Sequence, residues 1–205
     1  MMLTMYTRQA GAALRMLLVA TVVLGLAYPL AVWAVAHVPG LSSQAEGSIV
    51  HAADGTPTGS TLIGIDPVPA DPANDPYFHT RPSASAEDVL GPGDPSTSGG
   101  SNKGGFNEDL LAAVEQRRDA IAQREGVSPA QVPADAVTAS ASGVDPHISV
   151  EYAQLQAPRV ARVTGLGEER VRELVAASTQ PAPLGFLGAD GVNVTELNLA
   201  IADAR

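Results

Sequence analysis

Met16-Leu-Leu-Val-Ala-Thr-Val-Val-Leu-Gly-Leu-Ala-Tyr-Pro-Leu-Ala-Val-Trp-Ala-Val-Ala-His-Val38 contains no Asp, Glu, Lys or Arg. At 1.5 Å per residue a helix of this length measures roughly 35 Å, enough to cross a ~30 Å hydrocarbon core with some tilt. Arg8 and Arg15 are the only basic residues before it, and the next is Arg81. The positive-inside rule then keeps residues 1–15 in the cytoplasm and puts 39–205 on the far side of the membrane. Ala34-Val-Ala36 is an A-x-A cleavage pattern, so a signal peptide is the alternative. The apolar run is longer than the usual 7–15 residues of such a peptide, which favours an uncleaved anchor. Pro29 withholds a backbone donor within the span, and Gly25 and Ala27 leave a flat face for a neighbouring helix.

The rest of the chain, about 165 residues, suits one soluble domain. Of 12 basic residues, Arg8 and Arg15 precede the span, leaving 10 against 22 acidic ones, a net charge of −12 beyond the membrane. Such a surface repels nucleic acid and attracts cations. With no cysteine, disulfides and thiolate metal sites are excluded.

Beyond the span, Ser60–Ile65 is β-rich and predicts a short strand. From Asp66 to Gly105 the chain is dense in Pro, Gly, Ser and Asp, and no helical period survives. Tyr77-Phe-His-Thr-Arg-Pro-Ser83 sets two aromatics, a His and an Arg within this stretch, which predicts an ordered irregular loop. Asn107 followed by Glu108 and Asp109 opens a helix with Leu110, Val114 and Ile121 on one stripe, closed by Gly126. The small residues from Pro133 to Gly143 predict close backbone approach. Asp145-Pro146-His147 turns the chain, Ser149 caps a helix carrying Tyr152 and Leu155, and Pro158 is expected to end or kink it. A helix over Glu168–Ala177 follows, with Val171, Leu174 and Val175 inward. Asn193-Val-Thr-Glu196 resembles a capping box before a final helix with Val194, Leu197 and Ile201 on one face. The pattern is α+β: one N-terminal transmembrane helix, then a single mixed, helix-rich domain.

Chemistry-bearing motifs are sparse. Gly99–Gly105 is Gly-rich and holds the single lysine, Lys103, but lacks a phosphate-loop spacing and reads as a surface turn. The histidines, His37, His51, His79 and His147, have no zinc-site spacing. His147 with Asp145 and Ser140 or Ser149 lacks the nucleophile elbow of a hydrolase, and residues so close in sequence rarely converge as a triad. Asp145 and His147 fit a hydrogen-bonded turn better. No catalytic residue and no metal ligand is assigned.

Seven segments carry a resemblance: Tyr77–Ser83, Gly99–Asn102, Pro133–Ser149, Pro158-Arg-Val-Ala161, Leu184-Gly-Phe-Leu-Gly188, Val192-Asn-Val194 and Glu196-Leu-Asn-Leu199. In this order, and with the leading span, the chain resembles the C subunit of the Kdp potassium-transporting ATPase, a bacterial P-type pump. Lys103, Gly105, Val150 and Gly167 depart from the family pattern. The resemblance implies a noncatalytic subunit of the bacterial inner or plasma membrane. Its partners would be a channel-like potassium-translocating subunit, an ATP-hydrolysing subunit and a small single-span subunit, with the lipid bilayer and no nucleic acid. It also implies a chaperone-like role that raises ATP affinity, while ATP and K+ themselves belong to the complex. The motif positions carried over as structural or partner-contacting are Tyr77, Phe78, His79, Arg81, Pro82, Ser83, Gly99, Gly100, Ser101, Asn102, Ser140, Gly143, Asp145, Pro146, His147, Ser149, Pro158, Arg159, Gly185, Asn193, Glu196 and Asn198. A membrane-anchored extracytoplasmic binding protein without a pump partner is the competing reading.

Overall fold

The computed structural model describes residues 2–205, with side chains from residue 5 onward, in two compact units, Met1–Ser48 and Ile49–Arg205. In the first, α1 (Met2–Val22) continues through one π-helical turn, Val23–Ala27, into α2 (Tyr28–Ala36). Met5–Ala36 is long and apolar enough to cross a membrane, and none of it is buried within the protein. The helix starts well before the expected Met16 and closes two residues short of Val38, where the His37 ring Nδ1 turns back onto Trp33 O at 2.8 Å. Its π turn is the local answer to Pro29. Proline cannot donate to the carbonyl one turn earlier, and the ladder widens just before it, with the Tyr28 N–H donating to Val23 O. A short helix, α3 (Ser42–Ala45), ends this unit.

The second unit begins with an antiparallel hairpin, β1 (Ile49–His51) and β2 (Pro57–Ser60), bulged between Val50 and His51. The strand expected at Ser60–Ile65 therefore lies earlier. Only an isolated bridge, Ser60 to Ile63, follows it. Gly64 explains the departure: its N–H donates to Val144 O at 2.8 Å, and a Cβ there would meet the Asp145 carbonyl oxygen at 2.6 Å. The chain leaves the hairpin to press its bare backbone against that turn.

Four principal helices enclose the core. Asn107 caps α4 (Glu108–Glu125) by accepting from the Leu110 N–H, and Gly126 ends it in the left-handed region at φ +71°. A short helix, α5 (Ala134–Val137), leads to β3 (His147–Ile148) and α6 (Val150–Thr164), which Ser149 caps through the Tyr152 N–H. Pro158 neither ends nor kinks α6 into two elements. It lies on the exposed face, while the buried face carries Tyr152, Ala153, Gln156, Ala157, Val160 and Ala161 to either side of it. The lost hydrogen bond costs about 3 kcal/mol, which burial of several side chains at roughly 1.5–3 kcal/mol each outweighs. Then come α7 (Glu168–Ala177), with the expected bounds but no side-chain cap at Gly167, β4 (Thr179–Gln180), β5 (Gly191–Asn193) and α8 (Val194–Asp203). The strands form a small antiparallel sheet in the order β3-β5-β4, with Ile148 and Thr179 both opposite Val192. Phe78, Ile121, Ile148, Tyr152, Val171, Val192 and Leu197 are buried among these elements. The fold is α+β.

Residues 66–105 hold one 3-10 turn, Pro72–Asn74, and otherwise neither helix nor strand. Asp71 accepts the Ala73 N–H and the Asn74 side-chain amide, and Asp94 accepts Ser96 N–H, Ser96 Oγ and Thr97 Oγ1. These local acceptors shape the loop where no ladder does, and they hold both carboxyls below the usual Asp range.

Candidate functional site

The loop motif Tyr77–Ser83 is bound to the helices by side-chain amides acting as surrogate strand partners. Asn198 on α8 accepts the Phe78 N–H at 2.8 Å and donates to Phe78 O at 2.8 Å. Gln156 on α6 does the same for His79, at 2.8 and 3.2 Å. Thr80 N–H donates to Asp66 Oδ1 at 2.9 Å. An irregular segment cannot bury unpaired peptide groups, and these three side chains make burial of Phe78, His79 and Thr80 possible.

His79 sits between two carboxylates, Nδ1 at 2.9 Å from Asp66 Oδ1 and Nε2 at 2.5 Å from Asp75 Oδ2. Each ring nitrogen thus lies within hydrogen-bond distance of a carboxylate oxygen. Arg159 extends the network, donating to Glu125 Oε2 at 2.9 Å, Asp75 O at 2.7 Å and Gln156 Oε1 at 3.2 Å, with Asp75 Oδ2 at 3.2 Å. Arg124 donates to Glu125 Oε1 at 2.7 Å and to Tyr152 Oη at 2.9 Å. Two guanidinium groups and the His79 ring thus face three carboxylates. Burial pushes the Asp75 carboxyl up, but the His79 hydrogen bond and charge, the Arg159 charge and the Tyr77 N–H together hold it below its usual value. Burial likewise raises the Tyr152 phenol despite Arg124. This ionic knot fastens loop to core. A cleft of about 660 Å³ opens beside it, lined by Asp66, Asp75, Arg124 and Arg159.

The more exposed motif residues gather elsewhere. Arg81 spans from the Thr138 and Ala139 carbonyls to Asp145 Oδ2, the last at 3.3 Å. Asp145 Oδ1 accepts the His147 N–H at 3.0 Å, the turn role expected of this pair. His147 Nε2 lies 3.2 Å from Gln180 Oε1, reaching over Gly191, where a Cβ would come within 3.5 Å of the ring-bearing carbon. Gln180 then donates to Glu196 Oε2 at 3.3 Å. Arg81, Asp145, His147, Gln180 and Glu196 make a continuous polar string across the small sheet. A cleft of about 470 Å³ adjoins it, lined by Arg81, Ser140, Asp145, Pro146, His147 and the exposed Leu62.

The remaining motif positions brace this surface. Ser140 N–H donates to Pro82 O, Ser140 Oγ accepts the Gly143 N–H and meets Ser142 Oγ, and Ser83 Oγ meets Ser85 Oγ. Gly99 N–H donates to Ser142 O, and Gly100 lies so close to Ala141 that a Cβ would stand 3.1 Å from its carbonyl oxygen. Gly143, at φ +75°, admits no side chain between Gly99 O and Ser83 Oγ, each 3.0 Å from where a Cβ would lie. The small residues of Pro133–Gly143 serve close backbone approach. Ser149 Oγ donates to Asp135 Oδ1, so neither Ser140 nor Ser149 is paired with His147 and the triad is not assembled. Ser101 and Tyr77 are exposed, Asn102 is left-handed at φ +52°, and Lys103 pairs with Asp109 at the surface. Asn193 is buried, its Oδ1 capping α8 through the Glu196 N–H and its amide donating to Thr61 O, while the Glu196 side chain turns to Gln180 instead of closing the capping box.

Asp66, Asp75, Arg124, Glu125 and Gln156 carry the knot without having been singled out from sequence. Only Gln156 left a signal, a polar residue on the apolar stripe of an amphipathic helix.

Asp75, reached by both the His79 ring and Arg159, ties the motif segments Tyr77–Ser83 and Pro158–Ala161 together, and comparison with known proteins agrees. Residues 10–203 match the family model described as "KdpC: K+-transporting ATPase, c chain". The chain belongs to the KdpC family. A "Potassium-transporting ATPase KdpC subunit" from Kineococcus radiotolerans is 49% identical over 98% of this chain and 97% of its own length. Proteins of the same description are 48% identical in Polaromonas naphthalenivorans, over 92% of this chain and 91% of theirs, and 45% identical in Mycobacterium tuberculosis, over 95% and 97%. For a member of this family, whose relatives are named as subunits, a braced polar string flanked by a cleft is the candidate partner-contact site.

Proposed function

We propose that this chain is a noncatalytic accessory subunit of a high-affinity, ATP-driven potassium uptake complex, anchored by Met5–Ala36 with its amino terminus in the cytoplasm. The observation that carries this is the KdpC match over residues 10–203. Its partners are a channel-like potassium-translocating subunit, an ATP-hydrolysing subunit and a small single-span subunit. ATP and K+ are handled by those partners. With Arg8 and Arg15 holding the amino terminus inside, the acidic second unit lies outside, away from cytoplasmic ATP. A rise in ATP affinity on adding this subunit therefore passes through the membrane as a coupling between sites.

The span packs on partner helices by its Gly25/Ala27 face. A Cβ on Gly25 would meet nothing closer than the Thr21 methyl at 3.8 Å, so its own helix does not require the glycine. The net charge of −12 beyond the membrane concentrates cations near the potassium entrance. ATPase assays on complexes assembled with and without this chain test the reading. A lower KM for ATP with the chain present is expected, and an unchanged KM and kcat would contradict it.

A further inference from the structure

Between β4 and β5 the chain forms a loop, residues 181–190, that carries no charge from Pro181 to Ala189. Its large side chains face solvent: Leu184 is 80% exposed, Phe186 74% and Leu187 52%. The loop is nonetheless built. Asp190 Oδ1 accepts the Ala182 N–H at 2.9 Å, the Gly185 N–H donates to Ala182 O at 2.8 Å, and the Leu187 N–H donates to Pro183 O at 3.0 Å. Leu184 is held in the left-handed region at φ +56°, unfavourable for a branched side chain, followed by Gly185 at +76° and Gly188 at +87°. Two prolines restrict the entry. A segment that keeps strained backbone in order to present three apolar side chains to water is preorganised for a contact.

We infer that Leu184, Phe186 and Leu187 form a knob that inserts into an apolar recess, ringed by basic residues, on another subunit of the same transporter. The inference rests on the subunit role proposed above. Charge selects this occupant among three. A second copy of this chain would bring −12 against −12, and an anionic lipid surface would repel the same charge. A protein surface with a basic rim attracts the acidic unit while its recess takes the uncharged loop.

The chain has no cysteine, so Phe186→Cys introduces a single thiol for a benzophenone label. Photolysis in native membranes of the assembled complex should cross-link that position to another transporter subunit at least tenfold above Ala176→Cys, on the exposed side of α7. Adducts to lipid alone, to a second copy, or at the Ala176 level would overturn the knob. The double substitution Leu184→Ser/Phe186→Ser should cut recovery of partner subunits about tenfold, as loss of an interface anchor does, with the thermal midpoint of the chain unchanged; undiminished recovery would also overturn it. If the unsubstituted chain purifies alone, the subunit role falls and the knob with it. If it brings its partners but yields no such cross-link, only the knob falls.

Discussion

Replacing Arg159 with methionine should unfold the second unit far more readily than any surface charge change. Arg159 is 4% exposed, and its loss removes three hydrogen bonds and the ion pair to Asp75. Glu125, with a fully buried side chain, keeps only Arg124, and Asp75 keeps the His79 ring and the Tyr77 N–H. Breaking a buried pair in this way costs roughly 3–5 kcal/mol, because an uncompensated charge stays inside. For a unit of this size each kcal/mol moves the midpoint by about 2–4 °C, so thermal unfolding should fall by roughly 6–20 °C. The comparison is Arg172→Met. Arg172 pairs with Glu168 at 2.6 Å but is largely exposed, and such pairs are worth at most about 1 kcal/mol. Circular dichroism melts of the full chain in detergent read both variants. A drop for Arg159→Met no larger than for Arg172→Met would refute the claim that the knot holds loop 66–83 to the core.

Because Asp75 titrates below its ordinary range in the folded state, it contributes stability that is present above the usual pKa of about 3.9 and is lost as pH falls through the folded value. Asp75→Asn should therefore flatten the acid limb of a stability-pH profile, and an unchanged slope below about pH 4 would argue against that coupling. Asn198→Ala leaves both Phe78 peptide groups without partners and should cost about 1–3 kcal/mol in urea unfolding, whereas no measurable change would mean that the amide pairing is dispensable. Gly143→Ala places a Cβ 3.0 Å from Gly99 O at φ +75°, while Gly165→Ala, at φ +76°, meets open space. Both should destabilise, the second by about 1–2 kcal/mol and the first by more, and equal losses would mean the loop yields to the methyl.

Local chemistry was legible wherever one residue and its near neighbours decide the outcome. Asn107, Ser149 and Asn193 cap the helices they were expected to cap, and Glu168–Ala177 has the bounds its pattern implied. Pro158 misled because a local rule met a helix with buried side chains on both sides of it. The strand at Ser60–Ile65 misled because Gly64 is claimed by a turn far along the chain. The knot joins Asp66 and Asp75 to Glu125 and Arg159, residues in a loop and two helices that share no periodicity. Long-range ion pairs of this kind leave no spacing to read, and the family motif marked only His79 and Arg159 among them. At the Arg81–His147 surface the motif named most of the string, but not Gln180, which the sheet brings beneath His147 across Gly191.

Affinity purification of the full chain from native membranes, with every co-eluting protein identified, tests the subunit role most directly. The expected result is recovery with the potassium-translocating and ATP-hydrolysing subunits of one transporter, in comparable amounts. Recovery of the chain alone, under conditions that keep such a transporter active, would contradict it.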